Sequence, residues 1–417
     1  MLQSKLFLPL QKEVSQEETS INSQLLIRAG FIDKEMSGVY NYLPLGLRTL
    51  RKIENIIREE MNSLGGQEIL MPVLSSIEKW KTTGRDKLDV DILYRMENTI
   101  LNPTHEEIVT PLIGKNIFSY KDLPVAVYQI QDKFRNEPRA KSGLLRCKEF
   151  IMKDLYSFHT DEDDLNNFYE KAIKSYQTVF NRLGLGDITY KTYALGGSFS
   201  PYSHEFQTVS NTGEDTIYLC EKCGVAINKE IIKNQKCCPE CQNEDLKELK
   251  AIEVGNIFKL GTKFSDAFNI KFADESGAKN PVIMGCYGMG PSRILGTIAE
   301  VFNDDKGIIW PENVAPFRFH VLSLLGKDEE KNSQIQKIAN EIYESLLKEN
   351  QEVLYDDRLD VSPGAKLVGS DLIGLPYRII ISEKSLDLNM IEIKQRSESK
   401  PEFIEYVDIS SLKKYFK

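Results

Sequence analysis

The chain of 417 residues carries 53 Lys+Arg against 62 Asp+Glu, a formal net charge of −9, with 41% hydrophobic and 28% charged residues. That is the composition of an ordinary globular protein, of two to four domains at roughly 100–200 residues each. It excludes a protein held to nucleic acid mainly by bulk positive charge, because non-specific phosphate binding scales with clustered Lys and Arg; a local basic groove is still open. The N-terminal MLQSKLFLPLQKEVSQEE is apolar over only a few residues, too few for a signal or a spanning helix. Of the seven cysteines, five fall between Cys220 and Cys241, while Cys147 and Cys286 stand alone. That is no disulfide framework, and the expectation is a cytoplasmic protein with no membrane partner.

In chain order, residues 45–64 place Leu47, Leu50, Ile53, Ile57, Met61 and Leu64 at helical spacing, with Arg and Glu between them. Gly65-Gly66 ends this helix, and EILMPVL reads as a short strand interrupted by Pro72. VAVYQIQDKF and CKEFIMKDLYSFH read as two strands joined by the polar loop RNEPRAKSG. A helix from about Asp163 to Leu183 opens in DEDD, acidic residues suited to the positive end of a helix dipole. Short strands, the cysteine-rich segment, IEVGNIFKL and PVIMGCYGMG then lead into a helix from about Pro291 to Phe302. Many strands with few interleaved helices predict an α+β fold, a largely antiparallel sheet flanked by helices. After the Pro-containing joint WPENVAPF, strand and helix alternate in a separate α/β domain of about a hundred residues.

Three groups of residues could carry chemistry. Arg135 and Glu137 in FRNE, with Arg139, Lys141 and Arg146 after them, make either a solvated turn or a polyphosphate clamp. Arg offers phosphate a planar fork, and a neighbouring Glu can accept from an amino group such as that of adenine. In GCYGMGPSR, Gly285, Gly288, Gly290 and Arg293 follow a strand and open a helix; tight packing and ligand binding are both open. The spacing fits neither GxxxxGK[ST] nor GxGxxG. Third, CEKC (220–223) and CCPEC (237–241) place two CxxC pairs fourteen residues apart, the spacing of a zinc ribbon. Cys220, Cys223, Cys238 and Cys241 would be four thiolate ligands of a closed, structural Zn²⁺ site. Reduced thiols or two disulfides are the alternative, and Cys237 is a spare.

The FRxE loop and the glycine strand ending in a helical Arg resemble motifs 2 and 3 of class II aminoacyl-tRNA synthetases; helix 45–64 with Pro72 resembles motif 1. LNPTHEE (101–107), FRNEPRAKSGLLRCKEFIMKDLYSFH (134–159), GGSFSPYSHEF (196–206), EVGNIFKLGTKFS (253–265) and MGCYGMGPSRILG (284–296) are similar, in order, to the bacterial type of prolyl-tRNA synthetase. DDRLDVSPGAKLVGSDLIGLPYRIII (356–381) is similar to that family's anticodon-binding domain. The resemblance implies a ligase that activates proline with ATP to prolyl adenylate and transfers it to the 3′ end of tRNA(Pro). It implies Arg135 between the proline carboxylate and the α-phosphate, Arg293 on the γ-phosphate, and Glu137, Arg146 and Phe150 at the adenine end, with Gly288 and Gly290 in the ATP site. Mg²⁺ would accompany the phosphates. Thr104 and Glu106 would take proline's ammonium, and His204 and Cys286 would line the pyrrolidine pocket. Thr followed by Glu three positions on, at residues 104–107, also fits a helix capping box. Class II enzymes of this kind are homodimers through motif 1; the apolar face of helix 45–64 is either that interface or intramolecular core.

INKE (227–230) and IEVG (252–255), which match the segments flanking the family's inserted editing domain, are only about twenty residues apart. The resemblance is therefore to a form lacking that domain, unable to hydrolyse alanyl-tRNA in cis and leaving the task to a separate editing factor. Lys148 where the family usually has Arg, and Pro291 entering the motif 3 helix, are smaller departures; Pro is tolerated at a first helical position. The expected domains are catalytic residues 1–219 and 252–312, a zinc ribbon at 220–251 and an anticodon-binding domain at 316–417. A threonine enzyme would need a His-containing open zinc site, which these cysteines do not offer. A non-catalytic relative would be expected to lose the motif arginines, and Arg135 and Arg293 are present.

Overall fold

The computed structural model describes residues 1–87, 92–138, 140, 142–197, 199–405 and 409–416, without the side chains of 409–411. Two compact units emerge, one of Met36–Val39 with Ile53–Thr297, the other of Met1–Glu35, Tyr40–Lys52 and Ile298–Lys417.

The first unit is built on a nine-stranded sheet. Its strands are β1 (Gln67–Glu68), β2 (Val125–Phe134), β3 (Glu149–His159), β4 (Thr189–Leu195), β5 (Tyr202–Val209), β6 (Asp215–Cys220), β7 (Val225–Asn228), β8 (Lys247–Gly261) and β9 (Ile283–Met289). Their order is β5-β4-β7-β6-β8-β9-β3-β2-β1, with β5 also paired to β8. Only β4 with β7 and β1 with β2 run parallel, so the expected antiparallel α+β sheet is what forms. The helices that bear on the site are α1 (Pro44–Ser63), α2 (Glu106–Gly114), α3 (Glu162–Arg182) and α4 (Pro291–Val301).

The acidic start of α3 behaves as its sequence suggests. The Asp161 carboxylate caps the Asp164 N–H, and Glu162, Asp163 and Asp164 occupy the first turn. Its apolar stripe covers one face of the sheet, Tyr176 packing 4.9 Å from Phe206 and Tyr169 5.9 Å from Tyr287. In α1, Leu50, Ile53, Ile57 and Met61 are all but fully buried within the single chain. Of the two readings of that stripe, intramolecular core is the one realised.

EILMPVL departs from its expected strand. Only Gln67–Glu68 is a strand; Ile69 still bonds the Tyr128 carbonyl, but the Met71 N–H turns to the Gln129 side chain and Pro72 has no N–H to offer. The chain therefore leaves the sheet and resumes as Leu74–Ser76, in a separate three-stranded sheet with Tyr94–Met96 and Thr99–Leu101. The cysteine-rich segment is woven into the main sheet, because β6, β7 and the start of β8 enclose it.

The second unit holds a five-stranded mixed sheet of β10 (Phe319–Ser323), β11 (Val353–Asp356), β12 (Tyr377–Ile381), β13 (Met390–Gln395) and β14 (Glu402–Glu405), ordered β11-β10-β12-β13-β14. Central β10 is parallel to β11 and β12, as strand–helix–strand connections through α5 (Glu329–Lys348) and α6 (Pro363–Ile373) require. Val321, Ile335, Ile342, Ile379 and Ile391 fill its core. The short helix α7 (Glu383–Leu388) and β14 go beyond the sequence-based expectation.

Candidate active site

The face of the sheet turned away from α3 carries the site, and period-two alternation decides which residues reach it. On β3, Phe150, Met152 and Asp154 line a cavity of about 200 Å³ while Lys153 points to Tyr176 of α3. On β9, Cys286 and Gly288 line it, whereas the Tyr287 ring packs against Tyr169. Along the glycine strand, Gly285 faces packed side chains and Gly288 faces the cavity. A Cβ at Gly285 would meet the Tyr287 hydroxyl and would sit 2.8 Å from Ser157 Oγ on the packed side, while Gly288 and Gly290 line the cavity, where a Cβ at Gly288 would come no closer than 3.6 Å to another group.

Arg135 and Glu137 follow β2, and β2 pairs with β3 in unbroken register from Val125↔Phe158 to Phe134↔Glu149. The loop is pinned at its base by Arg135 N–H to the Lys148 carbonyl and Lys148 N–H to the Gly38 carbonyl. Gly38 has φ +79, and a Cβ there would lie 2.6 Å from Ala140, so glycine is required. Arg139 and Lys141 lie outside the described residues.

A second cavity of about 280 Å³ adjoins the first and shares Arg135, Phe150, Glu253 and Arg293 with it as a common wall. Arg135 stacks over Phe150 at 5.1 Å; its Nη2 donates only a long bond to the Pro103 carbonyl at 3.5 Å. Among the described residues its buried Nε has no hydrogen-bond partner. Arg293 Nη1 donates to the Glu253 carbonyl at 2.8 Å and lies 3.5 Å from its carboxylate. Burial and the Arg293 charge both work against the Arg135 cation. Two guanidiniums held this way form a receptor for anions. At the far end, Arg146 bridges Glu137 at 3.0 Å and Glu214 at 2.9 Å.

At the other end, Thr104 and Glu106 enter α2. The capping box of Thr104 with Glu107 does not form: His105 is the N-cap, without a side-chain cap, and the Thr104 hydroxyl donates to Glu106 Oε2 at 2.6 Å. The Cys286 thiol donates to Glu106 Oε1 at 3.3 Å, and Arg85 Nη1 to Oε2 at 3.2 Å. Beneath lies a buried network. The Tyr156 hydroxyl accepts from the His105 N–H and donates to Asp154, which also pairs with Lys133 at 2.9 Å and accepts from Gln129. Burial pushes His105 down to about 4, so it is neutral at pH 7, with Nε2–H donating to the Pro72 carbonyl.

His204 does not reach this cavity. It pairs in register with Ile257, whose neighbours Asn256 and Phe258 are the cavity-lining residues of β8. The ring therefore falls on the α3 face, with Nδ1 at 2.8 Å from the Tyr169 hydroxyl and Tyr193 edge-on at 4.4 Å. The expectation that it lines the pocket is corrected on that ground. Sequence reasoning in turn passed over Arg85, Asp154, Glu214, Glu253 and Asn256. The last two stand in the quoted EVGNIF block, where alternation along the strand was the available signal; TGRD around Arg85 carries none.

The four expected cysteine ligands come together, their Sγ atoms all within 4.8 Å of one another. All seven cysteines are free, so the disulfide alternative is not formed. Cys237 turns away, its thiol 3.3 Å from Gln242 Oε1.

Residues 90–302 match the tRNA synthetase class II core domain (G, H, P, S and T), and residues 320–417 match an anticodon binding domain. The chain is 39% identical to a proline–tRNA ligase of Ehrlichia canis and 41% identical to one of a Wolbachia of Brugia malayi, with 99% of each chain covered in both cases. The chain belongs to the proline–tRNA ligase family. It is thus a class II aminoacyl-tRNA synthetase, a ligase joining proline to tRNA at the expense of ATP. A family member from Persephonella marina is 33% identical with 99% of each chain covered, but over 568 aligned positions against 417 residues here. That relative therefore carries a long stretch this chain lacks. Among solved structures, Giardia lamblia prolyl-tRNA synthetase in complex with prolyl-adenylate superposes with TM-score 0.77 at 21% identity, over 92% of this chain and 74% of that one. The Cryptosporidium parvum enzyme complexed with halofuginone and AMPPNP gives 0.76 at 19%, over 96% and 79%. At these identities the superpositions show a shared fold.

Proposed function

We propose that the two adjoining cavities are the proline and ATP halves of one adenylation site, with Arg135 at the point where the reacting groups meet. The carrying observation is its position in the wall common to both, with an Nε that has no partner among the described residues. A carboxylate is already ionised at pH 7, so no general base is needed; the protein must align two anions and offset their charge. The proline carboxylate oxygen attacks the α-phosphorus, pyrophosphate leaves, and the 3′-terminal ribose hydroxyl of tRNA then attacks the activated carbonyl and releases AMP. Arg135 spans carboxylate and α-phosphate, and Arg293 faces the γ-phosphate. Phe150 stacks on adenine, Glu137 and Arg146 hold its amino end and the phosphates, and Gly288 and Gly290 let the ligand approach the backbone. Mg²⁺ would neutralise phosphate charge, and Glu253 is the carboxylate in the common wall able to hold it.

Proline's secondary ammonium has two N–H groups. The Thr104 hydroxyl gives its proton to Glu106 Oε2 and keeps its lone pairs, while Glu106 Oε1 receives only a weak thiol donor. Thr104 Oγ and Glu106 Oε1 are two acceptors for those two donors, with Cys286 beside the ring.

Four thiols of this spacing and proximity suit tetrahedral Zn²⁺, a closed structural site at 220–251. Metal analysis finding no stoichiometric zinc in protein purified without chelator would overturn this. The assignment of residues 1–219 and 252–312 to catalysis and 316–417 to the anticodon is kept, as is a cytoplasmic homodimer; no helix among the described residues is long and apolar enough to cross a membrane. The dimer would need a surface other than the buried stripe of α1, and light scattering would test it.

The short link between INKE and IEVG supports an enzyme without cis editing. A missing methylene is worth only about 1–3 kcal/mol of discrimination, so alanyl adenylate should form and alanyl-tRNA should persist until a separate factor removes it. Rapid deacylation by the pure protein would refute this. ATP–pyrophosphate exchange across the amino acids, with Arg135→Ala as control, tests the whole reading. Exchange with proline supports it, and exchange with none would favour a binding protein.

A further inference from the structure

Arg85 follows the helix Ile77–Thr83 and the left-handed Gly84, distant in sequence from every motif named above. It is only 7% exposed. Its guanidinium stands 4.6 Å from the Phe199 ring centroid, 5.3 Å from Trp80 and 5.5 Å from Phe264. Nη1 donates to Glu106 Oε2 at 3.2 Å and to the two oxygens of Glu107 at 3.0 and 3.2 Å. A buried cation is retained only where partners compensate its desolvation, and here those partners are α2's first two carboxylates and an aromatic ring of the cavity wall.

This arrangement has a directional consequence. A carboxylate free to rotate presents either oxygen to a ligand. Here Thr104 and Arg85, the strong donors, both occupy Oε2, and Oε1 is left with the Cys286 thiol. The same guanidinium lies on the face of Phe199, so it joins the wall that carries Phe199 to the wall that carries Glu106. Thr83 also holds Glu107, its hydroxyl donating to Oε1 at 2.8 Å.

We propose that Arg85 is a positioning residue for amino-acid recognition, holding Glu106 Oε2 and Phe199 so that Glu106 Oε1 is presented to the substrate's ammonium. The proposal rests on the reading of Thr104 and Glu106 as the ammonium site. Arg85 itself touches no substrate; it fixes a charge that does.

The test separates this role from general support of the fold. In the full-length chain, Arg85→Met and Arg85→Lys are compared with the unmodified protein in proline-dependent ATP–pyrophosphate exchange. Inhibition by tetrahydrofuran-2-carboxylate, which has the ring and carboxylate of proline but an ether oxygen in place of the ammonium, is measured alongside. For Arg85→Met the KM for proline should rise about 30-fold, as for loss of one partner of a buried charge pair, with the KM for ATP and inhibition by the ether analogue changed less than about threefold. Arg85→Lys keeps the charge without the fork and should show the same split in smaller measure; it decides the matter if Arg85→Met does not fold. Equal weakening of proline and the ether analogue, or a proline KM unmoved in both variants, would overturn the proposal. Absence of proline-dependent exchange in the unmodified protein would instead overturn the functional reading beneath it.

Discussion

The two ends of the divided cavity are built on opposite terms. At the Thr104 end the polar groups are sealed in: Glu106, His105 and Lys133 are fully buried, and Asp154 nearly so. At the Glu137 end, Arg146 and Glu214 keep 42% and 46% of their side-chain exposure. Burying a charge costs several kcal/mol unless it is paired, so the first end exists only because its carboxylates are pinned from several sides. The second is set among water-screened ion pairs, each worth little. On the proposed assignment of proline to the first end and ATP to the second, a small amino acid is selected by charge geometry among buried groups, whereas a triphosphate is gathered by several adaptable cations. The difference in burial matches that division of labour.

Arg135→Ala breaks both ends at once and should be the most damaging change. It removes the guanidinium shared by the two cavities, and proline-dependent exchange should fall about 10³-fold, near 4 kcal/mol, as for loss of a donor to developing charge. A fall below tenfold would mean that the reacting anions meet elsewhere. Glu106→Gln attacks the buried end alone. The KM for proline should rise about 100-fold, equivalent to about 3 kcal/mol, because a neutral amide replaces a buried carboxylate facing an ammonium. The KM for ATP should hold, and parallel loss of both substrates would erase the contrast. Glu214→Gln probes the exposed end; the KM for ATP should shift by no more than about threefold, the change shrinking further at high salt.

The sequence exposed elements that are locally determined and hid those set by distant packing. The DEDD start, the apolar period of α3 and the ten-residue pairing of β2 with β3 depend on neighbours along the chain or directly across a hairpin. The two CxxC pairs were legible by their spacing, and the hairpin of β6 with β7 and the pairing of β6 with β8 frame the segment that brings the four sulfurs together. Pro72 misled, because whether EILMPVL stays in the sheet is decided by a side chain 58 residues away, Gln129, taking the Met71 N–H. Arg85 could not be foreseen for a like reason. Its partners Glu106, Glu107 and Phe199 come from two other segments, and nothing in TGRD marks the residue as buried.

His204 gives the smallest expected effect and the sharpest check on how the site faces were assigned. Placing it in the pocket required knowing the register of β5 on β8, since one step along a strand exchanges faces. With His204 opposite Ile257, its neighbours Ser203 and Glu205 take the cavity side of β5, and Glu205 Oε1 lies 3.5 Å from Asn256 Nδ2. His204 itself packs between Tyr169 and Tyr193, and burial pushes it down to about 4, so it is neutral in any assay near pH 7. His204→Gln should therefore cost stability through the lost ring contact, about 0.5–1.5 kcal/mol by thermal denaturation. The KM for proline should stay within about twofold, because the substituted side chain and the proposed ammonium site lie on opposite sides of one sheet. A tenfold rise would place the histidine back among the groups that bind proline, and would require β5 to sit one residue out of the register found here.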